Sequence, residues 1–270
     1  MPASDDESLP DPAHLFDLTG RTALVTGGSR GLGRQMAFAF ARQGADVVIA
    51  SRSLESCQET AREIETATGR RCLPYACHVG HWSELEGLAD FAWNELDGID
   101  ILVNNAGKSP LYETVLDINE QLWDSVLGLN LKGPFRLSAL VGSRMVERGR
   151  SSGRTGSIIN ISSIAAIHPT PDVLPYTAAK AGLNAITIGL AQTFGPHVRV
   201  NCIMPGAVPT EIMMKAMRLQ DDDLPKLEKV LRMPMRRLGT PDDLGQAVLY
   251  FVSPASSWVT GQILGVDGGL

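Results

Sequence analysis

The sequence predicts an α/β protein: one doubly wound, parallel sheet of about seven strands with helices on both faces. Short runs rich in β-branched residues alternate along the chain with longer segments in which apolar residues recur with the helical period. The short runs are apolar almost throughout, which is typical of strands buried on both faces of a parallel sheet. Right-handed crossovers between such strands put the intervening helices on both faces.

Seven segments carry the strand pattern. In chain order they are TALVT (22–26), DVVIAS (46–51), CLPYA (72–76), DILVNN (100–105), SIINIS (157–162), VRVNCI (198–203) and QILGVD (262–267). Helical periodicity fills segments between them, such as 33–43 and 54–66. The uncharged run 181–198 contains Asn184, Gln192 and Pro196, which favours a buried amphipathic helix over a membrane span.

Length and charge limit the organisation and the partners. At roughly 150 residues per domain the 270 residues could form two domains, but single α/β domains often reach this length, so we expect one, over residues 18–270. Residues 1–17 are acidic and Pro-rich, so we expect a flexible arm. They contain no apolar stretch of the kind that a signal peptide has, so we expect no signal peptide and a cytoplasmic protein. The net charge of −6 disfavours nucleic acid and anionic membrane surfaces as partners.

The four cysteines include no CxxC pair, so we expect free thiols rather than a disulfide framework. Cys72, Cys77, His78 and His81 cluster along the chain, and zinc is the alternative interpretation. Their spacing matches no common structural zinc site, so we predict no metal.

A glycine-rich turn, Thr26-Gly-Gly-Ser-Arg-Gly-Leu-Gly33, follows the first strand and opens the first helix. Backbone N–H groups and the helix dipole at such a turn hold a pyrophosphate. The alternative is that the glycines only allow tight packing of the strand against the helix.

The second predicted strand ends at Ser51 and is followed by Arg52, where enzymes that use NAD tend to carry an acid for the ribose 2′-hydroxyl. Arg52 and Arg30 would instead form a fork around a 2′-phosphate, because a guanidinium pairs bidentately with phosphate oxygens. We therefore predict NADP(H) rather than NAD(H); the alternative is two solvated arginines.

Tyr176 and Lys180 are four residues apart, on one face of a predicted helix. A neighbouring cation lowers the pKa of a phenol, which would suit Tyr176 to acid/base work near neutral pH. Ser163 follows the fifth predicted strand, where its hydroxyl would face the same crevice.

With further motifs, the chain resembles the short-chain dehydrogenase/reductase family over residues 18–270. The motifs are Thr26-Gly27-x-x-x-Gly31-x-Gly33, Asn104-Asn105-Ala106-Gly107, Asn130, Ser163, Tyr176-x-x-x-Lys180, Pro205-Gly206 and Val266-Asp267-Gly268-Gly269. The resemblance implies a Rossmann fold and hydride transfer between a nicotinamide ring and the carbon of a carbonyl or secondary alcohol. It also implies a homotetramer, with a dimer as the alternative.

By this resemblance, Tyr176 is the general acid/base, Lys180 holds the nicotinamide ribose and lowers the pKa of Tyr176, and Ser163 hydrogen-bonds the substrate oxygen. Asn130 would anchor a water in a proton relay. Pro134, four residues later, has no N–H and so leaves the Asn130 carbonyl free for such a water. The alternative is a plain proline kink with Asn130 capping locally.

A larger set of residues is expected to bind the cofactor, with Thr210 near the nicotinamide carboxamide and Asn104 also lining the cofactor. The set is Gly27, Ser29, Arg30, Gly31, Leu32, Gly33, Ser51, Arg52, His78, Val79, Asn105, Ala106, Gly107, Tyr176, Lys180, Pro205, Gly206, Val208 and Thr210. His78 departs from the family, which usually has an Asp there to meet the adenine. It would donate to the adenine or stack on it; the alternative is a surface imidazole with no role.

The segment 207–235 corresponds to the family's mobile lid over the substrate. Its methionines would give an adaptable apolar lining that suits a mainly apolar ketone; they are Met213, Met214, Met217, Met233 and Met235. An ordinary helix packed on the core is the alternative. Its basic residues would receive a phosphate-bearing thioester carrier or form a solvated helix face; they are Lys215, Arg218, Lys226, Lys229 and Arg232.

The sequence thus predicts an NADP(H)-dependent oxidoreductase that interconverts a small-molecule carbonyl and a secondary alcohol. A 3-oxoacyl thioester reductase is the alternative within the same class. A non-catalytic dinucleotide-sensing protein is the alternative from another class, although such a protein would be free to lose the acid/base tyrosine.

Overall fold

A computed structural model describes residues 14–216, 218–231 and 233–270, with the side chains of 212, 216 and 228–230 left out. The described chain contains a seven-stranded sheet in the order β3-β2-β1-β4-β5-β6-β7, and every strand pair is parallel. The strands are β1 (Thr22–Thr26), β2 (Asp46–Ser51), β3 (Cys72–Ala76), β4 (Ile101–Asn104), β5 (Gly156–Ile161), β6 (Val198–Pro205) and β7 (Ile263–Val266). The predicted fold class is confirmed.

The strand ends differ from the predicted ones by at most two residues. β6 is longer than predicted because its pairing with β7 continues to Pro205, which lies beside Val266. β4 is shorter than predicted, since Asn105 already turns away to the loop that follows.

Helices cover both faces of the sheet. They are α1 (Gly31–Arg42), α2 (Leu54–Thr68), α3 (Glu84–Glu95), α4 (Glu120–Leu127), α5 (Gly133–Ser152), α6 (Leu174–Phe194), α7 (Glu211–Ala216), α8 (Leu224–Leu231) and α9 (Pro241–Val252). Consecutive strand residues point to opposite faces, so Val25 packs in one core with α1, α2 and α9 while Leu24 packs in a second core with α3, α5 and α6. Two apolar layers therefore enclose the sheet.

The predicted buried helix in 181–198 forms most of α6, whose Leu183 and Thr187 are fully buried. Across residues 14–270, apart from the two undescribed positions, no helix is long and apolar enough to cross a membrane. The predicted arm lies largely outside the described residues, which begin at His14.

The order of the strands opens a crevice in the sheet's carboxyl edge. β1 pairs with β2 on one side and with β4 on the other, so the chain leaving β1 and the chain leaving β4 diverge. In doubly wound sheets, ligands bind at this reversal of strand order. The residues that follow β1, β2, β4 and β5 are therefore brought to one edge.

Candidate active site

A cleft of about 1560 Å³ runs along the carboxyl ends of the strands. It is lined by every residue predicted for catalysis or cofactor binding except Gly33, Asn104 and Asn130. Gly33 lies against the wall residues Gly27 and Asn105, and Asn130 lies against Lys108. The structure thus brings the predicted site together.

The glycines of the turn after β1 have two different reasons to be glycine. A Cβ on Gly33 would lie 2.2 Å from the Gly27 carbonyl oxygen, and one on Gly27 would lie 2.8 Å from Asn105 Nδ2. The neighbouring atoms are packed so closely that neither position has room for a side chain. Gly31 has a φ of +55°, with nothing within 4 Å of where its Cβ would be. It opens α1, and among the described side chains none caps this helix end. Tight packing and an open anion-binding helix end therefore coexist in this turn.

The two arginines predicted to bind the 2′-phosphate, Arg30 and Arg52, both line the cleft but differ in their partners. Arg52 is exposed at the end of β2, and its charge lowers the pKa of both Lys108 and His78, although desolvation is the larger cause for each. Arg30 Nη1 lies 2.6 Å from Glu211 Oε2, at the start of α7. Arg30 therefore pairs with a carboxylate of the predicted lid rather than with Arg52 in an open fork.

Ser163, Tyr176 and Lys180 meet where β5 ends and α6 begins. Ser163 Oγ accepts a hydrogen bond from the Ala165 N–H at 3.2 Å, which leaves its own O–H free to donate. Lys180 Nζ lies 5.6 Å from the centre of the Tyr176 ring and donates to the Ile161 carbonyl at 2.6 Å. The spacing predicted from the sequence thus places an ammonium beside the phenol.

Burial shifts the pKa values of Tyr176 and Lys180 in opposite directions. Burial raises the pKa of Tyr176, and a hydrogen bond with Ser163 opposes that rise. Burial also lowers the pKa of Lys180 to about 8. Burial is the largest cause of both shifts, so in this structure the amine loses its proton before the phenol ionises, and the lowering of the Tyr176 pKa by Lys180 stays a prediction. At neutral pH the pair rests as protonated phenol and ammonium.

Asn130 lies in a π-helical turn, Gly128–Lys132, between α4 and α5. Pro134, in the first turn of α5, has no N–H to give to the Asn130 carbonyl, which is why the helix departs from α geometry here. The buried Asn130 Nδ2 donates to the carbonyls of Val126 and Lys108, both at 2.9 Å, and Oδ1 accepts from Lys108 N–H at 3.2 Å. The side chain therefore caps locally and also fixes the cleft wall.

Asn104 does not line the cleft, contrary to prediction. It is buried, and its Nδ2 donates to Ser138 Oγ at 2.8 Å and Asn160 Oδ1 at 2.9 Å. As the last residue of β4 it points toward the core on the α5 side, while the next residue, Asn105, turns to the cleft and donates to the Thr26 carbonyl at 2.9 Å. Their roles differ because β4 ends between them.

The predicted lid contributes only part of its methionines to the cleft. Met213 lines it together with Arg218 and Leu231. Met233 is buried, and Met235 is 63% exposed. Met214 is half-buried away from the cleft lining. Met217 and Arg232, and the side chain of Lys229, lie outside the described residues. Lys215 pairs with Glu211 and Lys226 with Asp223, as expected of solvated helix faces.

Sequence reasoning missed Tyr112, which joins two loops of the cleft. Its hydroxyl donates to the Pro171 carbonyl at 2.5 Å and accepts from the Leu174 N–H at 2.8 Å. Leu174 begins α6, two residues before Tyr176. The only available signal was its place after β4, at the same sheet edge as the predicted site.

Cys72 and Cys77 are buried, and burial raises the pKa of each thiol to about 12. In the described ranges, no group of three or more His, Cys, Asp or Glu side chains is arranged to hold a metal ion.

Comparisons with known proteins identify the family of the chain. The profile of a family described as enoyl-(acyl carrier protein) reductase matches residues 27–270. The 3-oxoacyl-[acyl-carrier-protein] reductase FabG of Thermotoga maritima is 33% identical over 257 residues, which are 94% of this chain and 98% of that protein. Dehydrogenase/reductase SDR family member 4 of Homo sapiens is 33% identical over 93% of this chain and 88% of that protein.

Among solved structures, a 7α-hydroxysteroid dehydrogenase complexed with NADH and 7-oxo glycochenodeoxycholic acid superposes with a TM-score of 0.86. It is 33% identical, and the match covers 96% of this chain and 97% of that one. The fold, the ordered motifs and the full-length relatives lead to one conclusion: the chain belongs to the short-chain dehydrogenase/reductase family, whose members are oxidoreductases that bind a nicotinamide dinucleotide.

Proposed function

We propose that this protein is an NADP(H)-dependent oxidoreductase that interconverts a small-molecule ketone and a secondary alcohol, with Tyr176 as general acid/base. One observation carries the proposal. Across the sheet edge lie Arg52 after β2, the glycine turn after β1 and Ser163 after β5, in that order. β2 and β5 are three strand spacings apart, about 14 Å, a distance that an extended dinucleotide spans.

The residues present fit a dinucleotide. The uncapped start of α1 at Gly31 offers backbone N–H groups and open space to a pyrophosphate. Lys180 has two unused donor hydrogens after its bond to Ile161, which would bind the nicotinamide ribose hydroxyls. When bound, the dinucleotide supplies the hydride in reduction and accepts it in oxidation.

The chain's own residues handle the proton and the charge. Tyr176 rests protonated because its pKa is raised, so in reduction its Oη–H gives the proton to the substrate oxygen. Ser163 donates a hydrogen bond to the same oxygen and stabilises its developing charge. The Lys180 ammonium, 5.6 Å from the Tyr176 ring centre, stabilises the phenolate that forms for a moment. Asn130 holds the Lys108 backbone in the adjacent wall and anchors the relay water.

The preference for NADP(H) rests on Arg52. The sequence after β2 is Ser51-Arg52-Ser53, which offers a guanidinium and two hydroxyls rather than a carboxylate. Arg30 is also within the cleft, and its pair with Glu211 is exposed on both sides, so a phosphate can displace it at small cost. Arg52→Ala should weaken NADPH binding at least tenfold and leave NADH binding unchanged. Arg62→Ala, an exposed arginine on α2, is the matched control.

The test of the activity is the oxidation of NADPH, followed by the absorbance of the reduced nicotinamide, over a panel of ketones, diketones, sugars and 3-oxoacyl thioesters. Tyr176→Phe should abolish turnover and keep the affinity for NADPH. Tyr250→Phe, which removes an exposed phenol outside the cleft, should change neither. Binding of NADPH without turnover of any compound would favour a dinucleotide-sensing protein, and no binding would refute the cofactor assignment.

A 3-oxoacyl thioester is the second candidate substrate. Arg218 lines the same cleft as the apolar residues Met213 and Leu231, a combination that suits an acyl chain with a phosphate-bearing carrier. If Arg218→Ala lowers the turnover of thioesters and leaves the turnover of simple ketones unchanged, the substrate is a thioester.

We also propose that residues 18–270 form one domain in which 207–235 is a substrate lid, and that the protein is a cytoplasmic homotetramer. Two separate surfaces carry exposed apolar side chains: Trp123, Phe135 and Ile188 on α4 to α6, and Trp258 and Leu264 near β7. Two self-complementary surfaces close into a tetramer. Sedimentation should give four chains for the wild type and two for Trp258→Ser combined with Leu264→Ser, and a monomeric wild type would refute this.

A further inference from the structure

The imidazole of His78 is held in place at the cleft by the segment around it. Its ring stacks on that of His81, with ring centres 4.0 Å apart and planes 15° from parallel. His81 Nδ1 lies 2.6 Å from Glu84 Oε1, and the other oxygen of Glu84 accepts from the His78 backbone N–H at 2.7 Å. One carboxylate therefore anchors both histidines, and His78 lines the cleft as a fixed ring.

The hydrogen bonds of this ring determine which nitrogen carries the proton. The Gly80 backbone N–H donates to His78 Nδ1 at 3.2 Å, so Nδ1 acts as the acceptor. In a neutral imidazole the proton then lies on Nε2, which becomes a donor. Burial, with smaller contributions from the neighbouring His81 and Arg52, lowers the pKa of His78, which favours the neutral ring at physiological pH. Within the described part of the chain, no group accepts a hydrogen bond from Nε2.

His78 stands at the end of the cleft that is farthest from the chemistry. It follows β3, the edge strand, and Ser163 follows β5, so four strand spacings separate them, about 19 Å. If the proposed function is right, the nicotinamide half lies beside Ser163 and the purine base lies at the His78 end. A donor N–H at that place recognises an acceptor on the base, whereas a carboxylate there would offer only acceptors and recognise an amine.

We propose that His78 Nε2–H selects the purine base of the dinucleotide by donating to an acceptor on its edge, so that the site accepts a 6-oxopurine at least as well as the 6-aminopurine. The inference rests on the proposed function and concerns the base end of that same site. His78 is a specificity residue for the cofactor, remote from the reacting atoms.

The test compares the dissociation constants of NADP⁺ and its hypoxanthine analogue by titration calorimetry, which needs no turnover. The wild type should bind the hypoxanthine form as tightly as the adenine form or more tightly. His78→Asp should shift the ratio of the two constants about tenfold toward adenine, the effect of leaving one hydrogen-bonding group unpaired. Arg52→Ala is the matched control, because it should weaken both ligands equally and leave the ratio unchanged.

Each outcome separates the inference from the proposed function. Binding of both ligands with a tenfold preference for adenine in the wild type, or a ratio that His78→Asp leaves unchanged, overturns the inference alone. Failure to bind either ligand overturns the proposed function with it. If His78→Asp does not fold, His78→Leu replaces it and should weaken the hypoxanthine form more than the adenine form. Nitrogen NMR of His78 in the wild type should show Nε2 protonated, and a proton on Nδ1 would contradict the assignment.

Discussion

Burial of the Lys180 ammonium makes the stability of this protein depend on pH in a direction that is unusual for a lysine. The side chain is 3% exposed, and burial lowers its pKa from 10.5 to about 8. Between these values the unfolded chain holds a proton that the folded chain has lost. Stability therefore rises with pH through this window. The destabilising effect of the buried charge is fully present below the folded pKa and disappears toward the unfolded one.

The size of the effect follows from the two pKa values. The pKa of Lys180 is 10.5 in the unfolded chain and about 8 in the folded one, so this residue adds almost no pH dependence to the free energy of unfolding up to pH 7. From about pH 7 to about pH 9.5 the free energy of unfolding should increase by about 2 kcal/mol relative to a variant without this amine. Lys180→Met is that variant, because methionine fills a similar apolar volume and does not titrate.

Urea unfolding, followed by the fluorescence of the four tryptophans, measures both proteins at both pH values without added dinucleotide. The quantity compared is the difference in the free energy of unfolding between wild type and variant, measured at each pH. Other groups that titrate in this window contribute equally to both proteins, so their contributions cancel. Lys215→Met, at an exposed lysine of α7, corrects for the loss of one ammonium. A difference that stays constant between the two pH values would refute the buried-ammonium argument.

Three further predictions concern the proposed activity. The kcat for carbonyl reduction should fall as pH rises through about 8, because Lys180 then loses the charge that stabilises the phenolate, and a flat pH–rate profile would contradict this. Glu211→Gln should tighten NADPH binding by about two- to fivefold in a fluorescence titration, because it frees Arg30 from an exposed ion pair; weaker binding would count against the role of Arg30. Tyr112→Phe should lower kcat about tenfold with the affinity for NADPH unchanged, because the α6 start loses its hydroxyl bridge; an unaltered kcat would show that the bridge does not position Tyr176.

The fold was predictable because its signals are local. A run such as Asp46–Ser51 is apolar over its whole interior, and the same run is a strand buried on both faces. The glycine turn and the pair Tyr176 and Lys180 also depend only on neighbours in the chain, and the structure brings both to one cleft. The elements therefore follow from short windows of sequence, while an end such as that of β6 depends on its pairing with β7.

The remaining features depend on contacts that spacing does not reveal. Tyr112 bonds to Pro171 and Leu174, about sixty residues away, and no local pattern marks such a partner. The spacing correctly predicted that Lys180 lies beside Tyr176. It did not show that burial would raise the pKa of Tyr176 and lower the pKa of Lys180. Residue types on a helix face predict proximity, while the degree of desolvation depends on everything that packs around them.

The residues at the two ends of the cleft differ in how closely they follow the family's motifs. Ser163, Tyr176 and Lys180 sit where β5 and α6 meet, and their arrangement matches the family's pattern in this sequence. The one departure from that pattern, His78, lies at the other end, where it follows β3 and Arg52 follows β2. These ends are about 14 to 19 Å apart, beyond the roughly 8 to 10 Å over which charges act through physiological salt. If the proposed function holds, the choice of dinucleotide can therefore change at Arg52 and His78 while the proton chemistry proposed for Tyr176 stays as it is.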